Sequence, residues 1–172
     1  MLFIKDTLVS TPIPTPSEHV FEPSVWCEVE LPGDKLDVGV CYRSTSSTDT
    51  NNQELLNLLS SAVDYTGSSK LLLMGNLNYP ESEYDNYTVN AGEASDPYRF
   101  FTKTQDLFLR QHITENTRMR QGNSPSFLDL MFVNEDNLLD QVSYGAPDGK
   151  SDHVSLNFNY TTRIEEEQSD VI

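Results

Sequence analysis

The chain has 172 residues, 37% of them hydrophobic, and a formal net charge of −16 from 27 acidic and 11 basic residues. That size and apolar content fit one ordinary hydrophobic core and argue against a second domain. No apolar run approaches the roughly 18 residues that cross a bilayer. Met1-Leu2-Phe3-Ile4, followed at once by Lys5-Asp6, lacks a basic-then-apolar leader. The expectation is a soluble intracellular protein, nuclear or cytoplasmic. The excess of acid works against a strong grip on nucleic acid, because phosphate binders use Lys and Arg to displace counterions. Part of that acid lies in residues 163–172, read as a solvated acidic tail behind a domain spanning 1–162. Two cysteines, Cys27 and Cys41, are too few for a disulfide scaffold and are expected as free thiols. The glycosylation-like triplets at Asn86 and Asn159 mean little without secretion.

In chain order, the first 23 residues are broken by Pro12, Pro14, Pro16 and Pro23, leaving room for a short strand at Leu2–Ile4 and an irregular crossing. Val25–Leu31 and Lys35–Tyr42 flank the turn Pro32-Gly33-Asp34 and predict a hairpin. Asn51 with Glu54 forms a capping box ahead of Leu55, Leu58, Leu59, Ala62 and Val63 at helical spacing, and Gly67 closes that helix. Leu71–Met74 is a continuous apolar run ending at Gly75, as in a strand buried on both faces. Residues 81–96 read as a polar loop, and Pro97 opens a short helix. Further strands are expected at Gln111–Ile113, Phe127–Val133, Gln141–Tyr144 and His153–Tyr160. This mixture points to an α/β layered sandwich.

Three segments carry polar residues where a purely structural strand would not want them. Asn76 and Asn78 follow the buried strand and can point the same way. Asp129 interrupts an apolar strand and shares its face with Phe127, Met131 and Val133, so its carboxylate needs a partner or bears a desolvation cost of several kcal/mol. Ser151-Asp152-His153 offers one, since a carboxylate that fixes an imidazole's tautomer is a recurrent catalytic device. Each segment also has a bland reading: turn chemistry for Asn-x-Asn, an edge residue for Asp129, a solvent loop for Ser-Asp-His.

Order and spacing favour the functional reading. Val38-Gly39-Val40-Cys41-Tyr42-Arg43, then Leu72 through Pro80 with Gly75-Asn76-Leu77-Asn78, then Leu128–Phe132, then Ser151-Asp152-His153 resemble, in order, the motifs of the endonuclease/exonuclease/phosphatase superfamily. The Tyr42-Arg43 pair, Asn78-Tyr79-Pro80 and the stretch from Thr117-Arg118 to His153 are most similar to the endonuclease domains of non-LTR retrotransposons. The resemblance implies a four-layer sandwich of two packed mixed β-sheets flanked by helices, and Mg²⁺-dependent hydrolysis of phosphodiesters, ancestrally the nicking of DNA. Carried over by position, Tyr42 holds the phosphate and Asn78 orients groups around the attacking water. Asp129 aligns His153, His153 stabilises the scissile phosphate, and Asp152 joins the metal cluster.

Two departures accompany the resemblance. The family has an aspartate where this chain has Asn76, and an amide cannot act as a general base. The family also begins with strands bearing an asparagine and a metal-binding glutamate. This chain is expected to start after them, with Glu22 and Glu28 in the wrong context to stand in. A sandwich missing its first strands would expose a sheet edge and a core face, to be covered by a protein partner. The leading expectation is an impaired hydrolase with a weak or absent Mg²⁺ site. A sandwich with no site, an active Mg²⁺ nuclease, and a repurposed non-enzymatic module binding a basic protein are the alternatives.

Overall fold

The structure, a computed structural model, describes residues 2–14, 21–120, 122 and 124–162. The acidic tail expected at 163–172 lies outside the described residues.

The frame is a six-stranded mixed sheet in the order β1 (Ser10–Pro12), β2 (Ser24–Leu31), β3 (Asp34–Tyr42), β4 (Lys70–Asn76), β8 (Asp129–Val133), β7 (Arg110–Gln111). Strands β2 (Ser24–Leu31) and β3 (Asp34–Tyr42) form the expected hairpin around Pro32-Gly33, and Gly33 takes the positive φ that a tight turn demands. At its centre Trp26 faces Gly39, where a Cβ would stand 2.4 Å from the indole ring, so the glycine makes room for the ring. Helix α1 (Asp49–Thr66) then carries the chain across to β4 (Lys70–Asn76), which pairs with β3 in parallel. The helix begins ahead of the expected capping box. Thr48, whose hydroxyl accepts from the Asn51 N–H at 3.2 Å, is the N-cap, and Asn51 lies within the first turn.

Residues 81–96 are less irregular than expected, because β5 (Ser82–Glu83) and β6 (Thr88–Val89) form a small hairpin there. Strands of two residues leave no periodicity to read. The Glu83 carboxylate, accepting from Asn86, Thr88 and Asn90, holds the hairpin together. Helix α2 (Asp96–Asp106) is capped by Ser95 with Pro97 in its first turn. Next come β7 (Arg110–Gln111) and β8 (Asp129–Val133), β9 (Ser143–Gly145) and β10 (Ser155–Asn157). The last two pair into an antiparallel ribbon. All four are shorter than their apolar patterns suggested.

The expected strand at Leu2–Ile4 does not form. The edge position is taken by β1 (Ser10–Pro12), paired with Cys27–Val29, while Leu2 and Ile4 pack as side chains on the core. Both sheet edges are therefore short, and β1 carries Pro12, which limits pairing with other chains.

The sheet is buried on both faces. On one, α1 and α2 cover Trp26, Cys41, Leu71, Leu73, Leu130 and Phe132. On the other, the β9–β10 ribbon and the 138–142 segment cover Cys27, Val29, Leu36, Val38, Leu72, Met131 and Val133. Strand alternation thus sends Cys27 and Cys41 to opposite faces, and both are free thiols. The result is a layered α/β fold whose second sheet, among the described residues, is a two-stranded ribbon.

Candidate active site

The polar residues singled out by the sequence meet at one end of the sheet. Tyr42, Asn76 and Asp129 are register partners across β3, β4 and β8, a row of three side chains on the ribbon-covered face. Gly75 permits that row. A Cβ there would lie 1.8 Å from the Cys41 carbonyl oxygen, so only glycine lets β4 approach β3 at this point.

Asp129 does not sit inside its strand but opens it. Its N–H and that of Leu128 both donate to the Thr117 hydroxyl, at 3.0 and 3.2 Å. Its carboxylate meets His153: Asp129 Oδ2 lies 2.7 Å from His153 Nδ1. This pairing directs the imidazole's Nε2 away from Asp129 and toward Asp152, whose Oδ1 is 3.9 Å from it. Asp152 is itself held by Arg118, whose Nε donates to Oδ2 at 2.9 Å. That hydrogen bond is the main reason the Asp152 carboxyl titrates below the usual carboxylate range. Backbone bridging of Arg118 to both Ser126 and His153 ties the arm into one unit.

Asn78 takes a different role. It stands at φ +52, a left-handed conformation that asparagine tolerates, and its Nδ2 donates to the Arg43 carbonyl. Arg43 is buried and answers through its guanidinium. Nη1 donates to the Asn78 carbonyl at 3.2 Å, Nε donates to Asn52 Oδ1 at 2.8 Å, and the guanidinium lies 4.1 Å from the centre of the Tyr79 ring. Asn52 in turn donates to Asp96 at the start of α2. The asparagine loop is thereby fastened to both helices. Tyr42 is 47% exposed beside this loop.

Thus Tyr42, Asn76, Asp129, His153 and Asp152 share one end of the sheet, while Asn78 is engaged with Arg43. The positions that sequence reasoning left without a role are Arg43, Thr117 and Arg118. Their signal was the family-like stretches they belong to, the Tyr42-Arg43 pair and the run opening at Thr117-Arg118, which gave them no individual role.

A hard divalent cation needs about six oxygen ligands. The Asn76 amide oxygen is buried and lacks a hydrogen-bond partner, a single orphan that a cation could use. Against it, Asp152 is engaged by Arg118, Asp129 by His153, and no group of three or more His, Cys, Asp or Glu side chains gathers among the described residues. Among the described residues the donor set does not fit a divalent metal. What remains to donate to an anion is an imidazole aimed by a carboxylate and a phenol across the row.

The model for the family described as "Endonuclease-reverse transcriptase" matches residues 36–157, a span that includes most of β3, all of β4 and β8, and His153. No curated protein matches the chain. Among solved structures, the endonuclease domain of TRAS1, a telomere-specific non-LTR retrotransposon, is similar at TM-score 0.69 and 15% identity, over 89% of this chain and 67% of that one. An endonuclease/exonuclease/phosphatase family protein from Leptotrichia buccalis gives TM-score 0.51 at 14% identity, over 81% of this chain and 54% of that one. The inositol polyphosphate 5-phosphatase domain of SpSynaptojanin, in complex with inositol (1,4)-bisphosphate and calcium ion, gives 0.53 at 13%, over 88% and 54%. At these identities the structures speak for the fold, and this chain spans about half to two-thirds of their lengths. With the family model covering most of the chain and the fold in agreement, the chain belongs to the endonuclease-reverse transcriptase family of the endonuclease/exonuclease/phosphatase superfamily.

Proposed function

We propose that this protein is a retroelement-derived domain, descended from Mg²⁺-dependent hydrolases that nick DNA, which keeps part of a phosphate site and has lost most or all of its hydrolytic power. The observation that carries the reading is Asn76. It stands in register between Tyr42 and Asp129, at the position where the family supplies a carboxylate. An amide has no basic lone pair at neutral pH, so it can orient a water but cannot take its proton. General-base assistance contributes on the order of 10²–10⁴ in rate. The poor fit to a divalent ion removes the other means of making hydroxide near pH 7.

What persists is the arm that stabilises negative charge. With Nδ1 engaged by Asp129, His153 offers Nε2 to a phosphate oxygen, and Tyr42 offers its hydroxyl across the row. The similarity to a retrotransposon endonuclease makes DNA the preferred ancestral substrate, and the net charge of −16 weakens any hold on it. No described helix is long and apolar enough to cross a membrane. The same reading sets the protein in the nucleus or cytoplasm, where buried thiols such as Cys27 and Cys41 stay reduced.

The test is nicking of supercoiled plasmid by the purified chain, with Mg²⁺ or chelator, beside His153→Ala. The expected result is no cleavage that depends on both. Cleavage abolished by chelator and by His153→Ala alike would overturn the proposal and establish a working site.

A further inference from the structure

Away from the phosphate site, a cavity of about 460 Å³ opens between the β5–β6 hairpin and the end of α2. Its walls include Tyr84, Asp85, Tyr87, Gln105, Phe108 and Arg110. Two of these are among the most exposed large side chains of the molecule, Phe108 at 84% and Tyr87 at 69%.

Both stand where a chain ordinarily places glycine. Helix α2 ends with the Phe108 N–H donating to the Gln105 carbonyl and the Leu109 N–H donating to the Thr104 carbonyl, each at 3.0 Å. That is the double bond of a Schellman motif, whose left-handed residue is usually Gly. Here it is Phe108, at φ +55. The β5–β6 hairpin closes through residues 84–87, and its last loop residue, Tyr87, is at φ +53, again a conformation suited to Gly or Asn. A bulky side chain in the left-handed region is strained, and strain of this kind collects where a side chain is needed for recognition. Neither ring gains burial in exchange. The third aromatic, Tyr84, is anchored, its ring packed 5.0 Å from Phe101 and 5.7 Å from Phe132.

We propose that this cavity receives an arginine or lysine side chain from a basic segment of a protein partner. Aromatic faces attract cations through their quadrupoles, and Asp85 adds a full negative charge at the rim. The one cation in the lining, Arg110, is ion-paired with Asp136. The volume suits a long side chain with part of its backbone. A chain of net charge −16 draws a basic partner from a distance and repels a polyphosphate, which sets nucleobase stacking aside. The inference does not depend on turnover at His153, and its test reads binding alone.

The test uses the full chain and a fluorescent peptide of alternating arginine and serine, with a glutamate–serine peptide and an oligothymidylate as competitors, at low and moderate salt. Binding of the basic peptide is expected to fall about tenfold or more with Tyr87→Gly or Phe108→Gly. The thermal midpoints of these variants should be unchanged or higher, since glycine relieves the left-handed strain. Asp85→Asn should weaken binding and flatten its salt dependence. The proposal is overturned if the basic peptide does not bind, if it binds equally well to both glycine variants, or if oligothymidylate displaces it and depends on the same two rings.

Discussion

The two faces of the central sheet are built to different standards. The helix-covered face is closed by long side chains with no exposure, among them Phe21, Leu55, Leu58, Leu59, Phe100 and Phe132, and Phe100 stacks on Tyr79 and meets Phe132 edge to face. The opposite face is closed by a two-stranded ribbon, and Leu2, Ile4, Tyr144, Leu156, Phe158 and Tyr160 lie only partly buried against it. A helix lays a broad apolar stripe on a sheet, whereas a short ribbon contributes alternate residues only. The row Tyr42, Asn76 and Asp129 belongs to the thinner side, where polar groups can be reached. The well-packed face holds the fold, and the lightly covered face carries the candidate chemistry.

The largest expected effect tests this contrast directly. Phe132→Ala, on the helix side, should cost about 3–5 kcal/mol in denaturant unfolding, enough to unfold much of the chain. Leu156→Ala on the ribbon should cost about 1 kcal/mol, because its side chain is only partly buried. Equal losses would show that both faces carry the fold alike.

Between these extremes lies Arg43, which joins the helix layer to the site. Arg43→Met leaves Asn52 and the Asn78 carbonyl without their partner and should cost about 2–3 kcal/mol. Lysine should rescue little of it, since one ammonium cannot reach several directions in a plane at once. Full rescue by lysine would reduce Arg43 to a simple charge.

The smallest effect is electrostatic. Asp37 is 3% exposed on β3, and burial, the first cause, raises its carboxyl above the ordinary carboxylate range. A carboxyl whose folded pKa is raised favours folding below its unfolded pKa and loses that advantage as pH climbs through the folded value. Asp37→Asn should therefore match the parent near pH 3 and become the more stable of the two toward neutrality. A gap that is constant with pH would show that the substitution acts through packing alone.

The amino-acid sequence by itself determined the hairpin on either side of Pro32-Gly33, the helix ended by Gly67 and the strand through Leu71–Met74, which the structure carries on to Asn76, because period, turn chemistry and capping act within a few residues. It also placed Asp129 on an apolar face in need of a partner. It misjudged Leu2–Ile4, where apolar residues serve packing rather than pairing, and passed over the β5–β6 hairpin, whose strands are too short for a pattern. Only the tertiary structure decided the rest. His153 and Asp129 are 24 residues apart, and Arg118 and Asp152 are 34 apart, so their contacts rest on strand register and loop path. The same holds for Tyr87 and Phe108: in the sequence they are two aromatics in polar surroundings, and their left-handed backbones around one cavity follow from how the hairpin seats against the end of α2.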